Sequence, residues 1–315
     1  MFLNILLLLF GLALLICGAN LLVDGGSSLA HRLKVKPIVI GLTIIAFGTS
    51  APELVVNIIS SVKGSSALAL GNILGSNIFN ILAILGVTSI LVPLGIQKST
   101  TWVEVPLAML ASLLILIFVH NEPTGIISRT EGICLLIFFL IFSMYTYLLT
   151  RHSSEEDGQN IQIKDLSVYR SLAYIIGGFT FLLFGGRMLV NNAVNVALAF
   201  GISERIIGLT IVSIGTSLPE LATSVIAAHK KNADIAIGNV VGSNLFNTFF
   251  ILGITSTILP VETQPASNID IIINLISSCL LFLFIFTGKG RKINRWEGVI
   301  FLTSYIIYLI WLIQG

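Results

Sequence analysis

Residues 41–54 read GLTIIAFGTSAPEL, and residues 208–221 read GLTIVSIGTSLPEL. Each stretch sets a carboxylate, Glu53 or Glu220, in the middle of an apolar run long enough to cross a bilayer. An ionised carboxylate in hydrocarbon costs about 2.5–3.5 kcal/mol even on insertion scales, so such an acid is expected to face a cavity or a partner. A proline stands just before each acid, Pro52 and Pro219, and a Gly-Thr-Ser triplet stands shortly before the proline. Proline has no N–H, and its ring clashes with the carbonyl four residues back, here that of Gly48 or Gly215. The helix is expected to break beside the acid and to turn freed carbonyls toward whatever the acid binds. Acid, carbonyls and two hydroxyls make an all-oxygen set suited to hard cations.

The surrounding chain agrees with a membrane setting. Of 315 residues, 55% are hydrophobic and only 10% charged, which excludes a soluble domain. Ten apolar segments are expected to span, at about 2–23, 37–62, 67–92, 103–120, 131–150, 171–198, 206–228, 233–259, 269–287 and 297–313. Met1–Val23 lacks the basic start of a signal peptide and is kept as a mature helix. Cys17, Cys134 and Cys279 lie in apolar segments without a C-x-x-C pair, so they are expected to be small core residues. The longest connection, RHSSEEDGQNIQIKDLSVYR at 151–170, lacks the spaced oxygen ligands of a calcium loop and reads as a solvated linker.

A shift of 167 residues aligns 41–94 with 208–261 without a gap, and 26 of 54 positions are identical. GNILGSNIFN (71–80) falls on GNVVGSNLFN (238–247), and Pro93 falls on Pro260. Equivalent points are five spans apart, an odd number, so the copies face opposite ways across the membrane. Lys and Arg support one orientation: with the N-terminus outside, thirteen of them fall on inward loops and three on outward loops. Both termini are then outside and the 151–170 linker is cytoplasmic. The expected fold is an all-α polytopic membrane protein of ten transmembrane helices. It divides into a first five-helix repeat (1–150), the linker (151–170) and a second, inverted five-helix repeat (171–315). Broken helices meeting at the midplane of an inverted repeat are the architecture of a secondary transporter.

The broken segments offer Thr49, Ser50 and Glu53 in one copy and Thr216, Ser217 and Glu220 in the other. The spans that follow offer Ser76 and Asn80, four apart, and their twins Ser243 and Asn247. Gly71, Gly75, Gly238 and Gly242 make small faces that allow close approach. Asn77 and Asn244 either bond across helices or take part in the site. Ser and Thr in membrane helices often bond to their own backbone, whereas no Lys or Arg in the motif segments neutralises the two glutamates. Asp24, Glu104, Glu122 and Asp270 read as span-end residues reached by water, and Arg187 as a snorkelling or locally paired cation. No nucleophile–base arrangement, HExxH motif or phosphate-binding glycine loop is present, which argues against an enzyme.

Two inverted copies of GTSxPEL followed by GNxxGSNxFN resemble the alpha-repeats of the sodium/calcium exchanger family, in the cation/calcium antiporter superfamily, of prokaryotic type. The resemblance covers both repeats and the ten-span plan; the GNxxE motif usual in proton-coupled relatives is absent. It implies Ca2+/Na+ exchange by alternating access, with Glu53 and Glu220 as central calcium ligands shared with sodium. Thr49 and Thr216 would add backbone carbonyls, and Asn80 and Asn247 would complete the centre. Ser50, Ser76, Ser217 and Ser243, with carbonyls of Ala46 and Ser213, would form flanking sodium sites. The first span of each half, 2–23 and 171–198, would slide as gates. Many relatives carry an aspartate where this chain has Asn80 or Asn247, so here two carboxylates balance one Ca2+ or two Na+. The partners implied are the two ions and the lipid bilayer, with neither a resident cofactor nor a nucleic acid, in a prokaryotic inner membrane. Calcium/proton exchange through the same glutamates and a passive cation channel are the competing expectations.

Overall fold

A computed structural model describes residues 2–62, 66–121, 125–151, 164–200, 213–263, 267–288 and 290–314. Its helices are α1 (Phe2–Arg32), α2 (Pro37–Thr49), α3 (Ala51–Val62), α4 (Ala69–Leu91), α5 (Thr100–Asn121) and α6 (Arg129–Arg151). The second half contributes α7 (Val168–Ala199), α8 (Leu218–His229), α9 (Ala233–Ile258), α10 (Ser267–Phe284) and α11 (Arg295–Gln314). Among the described residues eight helices are long and apolar enough to cross a bilayer, and the bent pair α2–α3 makes a ninth. The expected span at 206–228 enters the described residues only from 213, as a helical turn (Ser213–Gly215) followed by α8. Glu122 also lies outside them.

Burial sorts the helices into layers. The most apolar windows of α4 and α9 are 83% and 94% buried, against 22% and 17% for α6 and α11. The two GNxxGSN helices thus form the centre, and the last helix of each half presents apolar side chains outward, as a lipid environment requires. The start of each last helix is set locally. Glu131 accepts the Ser128 N–H at 2.7 Å and returns its own N–H to the Ser128 hydroxyl at 3.4 Å, a capping box, and Glu297 accepts the Asn294 N–H at 2.9 Å, the acidic half of the same device.

Two short antiparallel ladders tie the loops at opposite ends. At one end β1 (Leu94–Gly95) pairs with β4 (Lys292–Ile293), and at the other β2 (Ile126–Ile127) pairs with β3 (Val261–Glu262). The β1–β4 end also carries Lys36, Lys98 and Arg291 around a cavity of about 400 Å³, and is called the basic end below. α1 and α7 run antiparallel along their whole length. Gly11, Gly18 and Gly25 recur every seven residues and face Gly185, Gly178 and Ser171. A Cβ on Gly18 would sit 2.8 Å from the Gly178 carbonyl oxygen, so only glycine permits this approach.

Three sequence expectations are corrected here. Cys17 is exposed, and Cys134 and Cys279 are half-buried, so none of the three is a fully buried core residue. Glu104 is fully buried instead of water-reached, and accepts a hydrogen bond from the Tyr145 hydroxyl at 2.6 Å. Asp24 is buried between Lys230 at 2.6 Å and Lys164 at 2.7 Å, joining α1 to the α8–α9 turn and to the chain before α7. The Asp24 carboxylate, by hydrogen bond and charge, holds the Lys164 ammonium above the ordinary lysine range.

Candidate cation site

The polypeptide breaks beside each acid, as the prolines predict, at the serine of each Gly-Thr-Ser triplet. Ser50 (φ −83°, ψ 8°) and Ser217 (φ −92°, ψ 8°) leave the helical region at matched positions, and α2 and α3 meet at 46°. Pro52 and Pro219 then stand in the first turn of α3 and α8, where a missing N–H is tolerated. The same first turn carries Glu53 and Glu220, so each carboxylate lies at the positive end of its half-helix. Both are buried, at 0% and 1% exposure.

Each acid is held by the other half of the molecule. The Ser217 hydroxyl donates to Glu53 Oε1 at 3.1 Å, and the Ser50 hydroxyl donates to Glu220 Oε1 at 3.0 Å. The Ser76 hydroxyl lies a long 3.4 Å from Glu53 Oε1 and 3.2 Å from the Ser217 hydroxyl oxygen. Neither carboxylate has a lysine or arginine partner among the described residues, in contrast to Asp24.

Asn80 and Asn247 sit in matching π-helical stretches, Phe79–Leu85 and Phe246–Leu252, a local widening common at functional positions. Their amide nitrogens are spent across the repeat boundary: Asn80 donates to Asn244 Oδ1 at 2.9 Å, and Asn247 donates to Asn77 Oδ1 at 3.2 Å. Asn244 also donates to the Asn77 carbonyl at 3.2 Å, and Asn77 to Thr248 Oγ1 at 3.0 Å. This crossed ladder leaves the Asn80 and Asn247 side-chain oxygens without a donor among the described residues. Among the described residues Glu53 Oε2, Glu220 Oε2, Thr216 Oγ1 and Ser243 Oγ are also without hydrogen-bond partners. An unpartnered buried acceptor costs about 1–3 kcal/mol. Two carboxylate and two amide oxygens of this kind, with hydroxyls beside them, are a ligand set for a hard cation.

The remaining expected ligands divide. The Ala46 carbonyl accepts the Ser50 N–H at 3.0 Å, so it is engaged within its own segment, and the Thr49 hydroxyl oxygen lies 3.3 Å from it. Ser217 N–H reaches the Ile214 carbonyl at 3.1 Å. Ser213 is described only as the start of its short helical turn. Thr49 donates to Asn239 Oδ1 at 3.0 Å, a partner the sequence reading passed over. Asn239 and its twin Asn72 are the first asparagines of GNxxGSN, polar residues repeated 167 positions apart in apolar helices. That recurrence was the available signal.

Residues 3–148 and 170–314 match the family described as sodium/calcium exchanger protein. The putative antiporter CaxA of Alkalimonas amylolytica is 37% identical over 307 residues, covering 95% of this chain and 95% of that protein. The inner membrane protein YrbG of Escherichia coli is 33% identical over 311 residues, covering 96% and 94%. The sodium/calcium exchanger MaX1 of Methanosarcina acetivorans is 29% identical over 342 residues, covering 98% and 97%. Among solved structures, the sodium-calcium exchanger NCX_Mj soaked with 10 mM Na+ and zero Ca2+ superposes with a TM-score of 0.80. It is 34% identical and covers 98% of both chains.

Proposed function

This chain is a membrane antiporter of the sodium/calcium exchanger family and not an enzyme, and from that premise we propose that it exchanges Ca2+ for Na+ by alternating access about Glu53 and Glu220. The observation that carries this reading is the crossed pair of bonds, Ser217 to Glu53 and Ser50 to Glu220, around side-chain oxygens that have no donor among the described residues. Calcium takes six to eight oxygen ligands. Glu53 and Glu220, the Asn80 and Asn247 side-chain oxygens and the Thr49 and Thr216 carbonyls supply that number. Ser50, Ser76, Ser217 and Ser243, with the Ala46 and Ser213 carbonyls, flank the centre as sodium positions.

Coupling follows from charge. Calcium and sodium need the same two carboxylates, so one excludes the other. Two buried carboxylates without a counter-ion are costly in a low-dielectric interior, which disfavours reorientation of the unloaded protein. The site therefore changes sides only when loaded, which is exchange and not leak. In this reading the basic end is cytoplasmic, both termini are outside and the membrane is a prokaryotic inner membrane. The α1–α7 pair, packed backbone to backbone, slides as one body past the α4–α9 centre.

One feature favours a second reading. Among the described residues the centre holds two carboxylates, and two protons neutralise them as completely as one Ca2+. Calcium/proton exchange through the same residues is that alternative.

Calcium uptake into sodium-loaded proteoliposomes, compared with vesicles equilibrated in sodium on both sides, decides between them. Uptake that needs the sodium gradient and is lost in Glu53→Gln supports sodium-driven exchange. Equal uptake in both conditions rejects sodium coupling; a response to an imposed pH gradient then identifies the proton-coupled form.

A further inference from the structure

The two halves of the site are equivalent in sequence but not in hydrogen bonding. Thr49 and Thr216 are twins under the 167-residue shift, and so are Asn239 and Asn72. On one side a bridge is made. Thr49 donates to Asn239 Oδ1 at 3.0 Å, and the Asn239 amide nitrogen donates to Ser224 Oγ at 2.9 Å and to the Glu220 carbonyl at 3.2 Å. Thr49, Asn239 and Ser224 are all fully buried. The bridge joins the end of α2, the first turns of α8 and the first half of α9, which is the half of the site facing the basic end.

On the other side the bridge is not made, and the Asn57 amide nitrogen donates to the Glu53 carbonyl at 2.8 Å, the counterpart of the carbonyl that Asn239 takes. Among the described residues the Thr216 hydroxyl, the Asn72 amide nitrogen and the Asn57 side-chain oxygen have no hydrogen-bond partner. Asn57 is the twin of Ser224, and Asn72 and Thr216 are half-buried where Asn239 and Thr49 are fully buried. The unpartnered groups are complementary: Thr216 can donate to the Asn72 oxygen, and the Asn72 nitrogen to Asn57. They would rebuild the threonine-to-asparagine and asparagine-to-next-turn bonds of the Asn239 bridge, with Asn57 keeping the Glu53 carbonyl.

We propose that Asn239 and Asn72 are positioning residues that set which side the central site opens to. Asn239 closes the half toward the basic end in the state seen here, and Asn72 closes the opposite half when the site faces the basic end. With one bridge in either state the two states stay close in free energy, and deleting one bridge biases the equilibrium. This rests on the alternating-access reading above.

The path residues supply reporters. Glu220, Ser224 and Ala228 follow at four-residue spacing on α8 toward the basic end, as Glu53, Asn57 and Ser61 do on α3 toward the other, and all six are buried. In full-length protein with Cys17, Cys134 and Cys279 replaced by alanine, Ala228→Cys or Ser61→Cys is labelled by a membrane-impermeant thiol reagent from each face of sided vesicles. Asn239→Ala is expected to raise labelling at 228 and lower it at 61 by about 2- to 10-fold, the factor one buried hydrogen bond controls. Asn72→Ala is expected to shift both reporters the opposite way. Unchanged labelling, or both reporters rising together as a loosened fold would give, overturns the proposal. Sodium-driven calcium uptake by the unsubstituted protein in the same vesicles separates the two ideas. Its absence removes the exchange reading, whereas its presence with unmoved reporters removes only the bridge.

Discussion

Ser217 donates to Glu53 at 3.1 Å from the other half of the molecule, and Ser50 returns the same bond to Glu220 at 3.0 Å. Each acid is thus oriented by the opposite repeat, so neither half contains a complete site. Hydrogen bonds to a charged group are worth about 1.5–3 kcal/mol net. Ser217→Ala and Ser50→Ala are each expected to weaken apparent ion affinity by about tenfold or more, and by similar amounts. Isotope uptake titrated with calcium and with sodium measures both. Loss confined to one serine would show that the two halves do not share the site equally.

Among the described residues Asn77 has no hydrogen bond to either carboxylate, yet it decides how Asn247 points. Its side-chain oxygen takes the Asn247 amide nitrogen at 3.2 Å, which turns the Asn247 oxygen to the unpartnered side. Asn77→Ala releases that amide to rotate and present N–H groups to a cation. The expected result is about a tenfold loss of calcium affinity, the scale of one misplaced polar ligand, with the folded protein retained. Asn244→Ala acts on Asn80 by the same route. Calcium binding by calorimetry, run beside size-exclusion chromatography, checks both; unaltered affinity would assign the ladder to packing alone.

Asn247 also sets the charge of the centre. Asn247→Asp adds a third carboxylate, and a protonated aspartic acid differs from asparagine only in replacing NH2 by OH. The variant is therefore expected to approach the parent protein at low pH, where the new acid carries its proton. As pH rises and that proton leaves, the variant gains negative charge, binds calcium more tightly and releases it more slowly. Uptake rates and half-saturating calcium at pH 6 and about pH 9 are the readout. A variant that matches the parent at both values would place this side chain outside the ion's reach.

The sequence made the architecture legible because the constraints are local or repeated. Proline beside an intramembrane acid allows few outcomes, the 26 identities at one offset reveal the duplication, and the five spans between equivalent points reveal its inversion. Ser50, Ser217, Glu53 and Glu220 could be named for that reason. The burial of Glu104 and the ion pairs of Asp24 could not, because they depend on Tyr145 and Lys230, which are distant in sequence. Asn72 and Asn239 were overlooked for a different reason. Identical residues imply identical roles, and it takes a three-dimensional arrangement to show one bridge made and its twin unmade.

Adjacent glycines on α7 give a test with its own control. A Cβ at Gly178 would meet the Leu22 nitrogen at 2.8 Å and the Gly18 carbonyl oxygen at 2.9 Å, both backbone atoms of α1 that cannot rotate away. A Cβ at Gly177 finds only a Leu21 methyl at 4.0 Å, ordinary contact. Gly178→Ala must push α1 and α7 apart, at a cost of about 1–3 kcal/mol for overpacking. Gly177→Ala exchanges a glycine for a better helix former and is expected to be neutral or slightly stabilising. If α1 and α7 move as one body, separating them damages transport as well as stability. Gly178→Ala is then expected to lower both thermal stability in detergent and sodium-driven uptake, with Gly177→Ala close to the parent in each. Normal uptake by Gly178→Ala would mean that transport does not depend on close contact between the two helices.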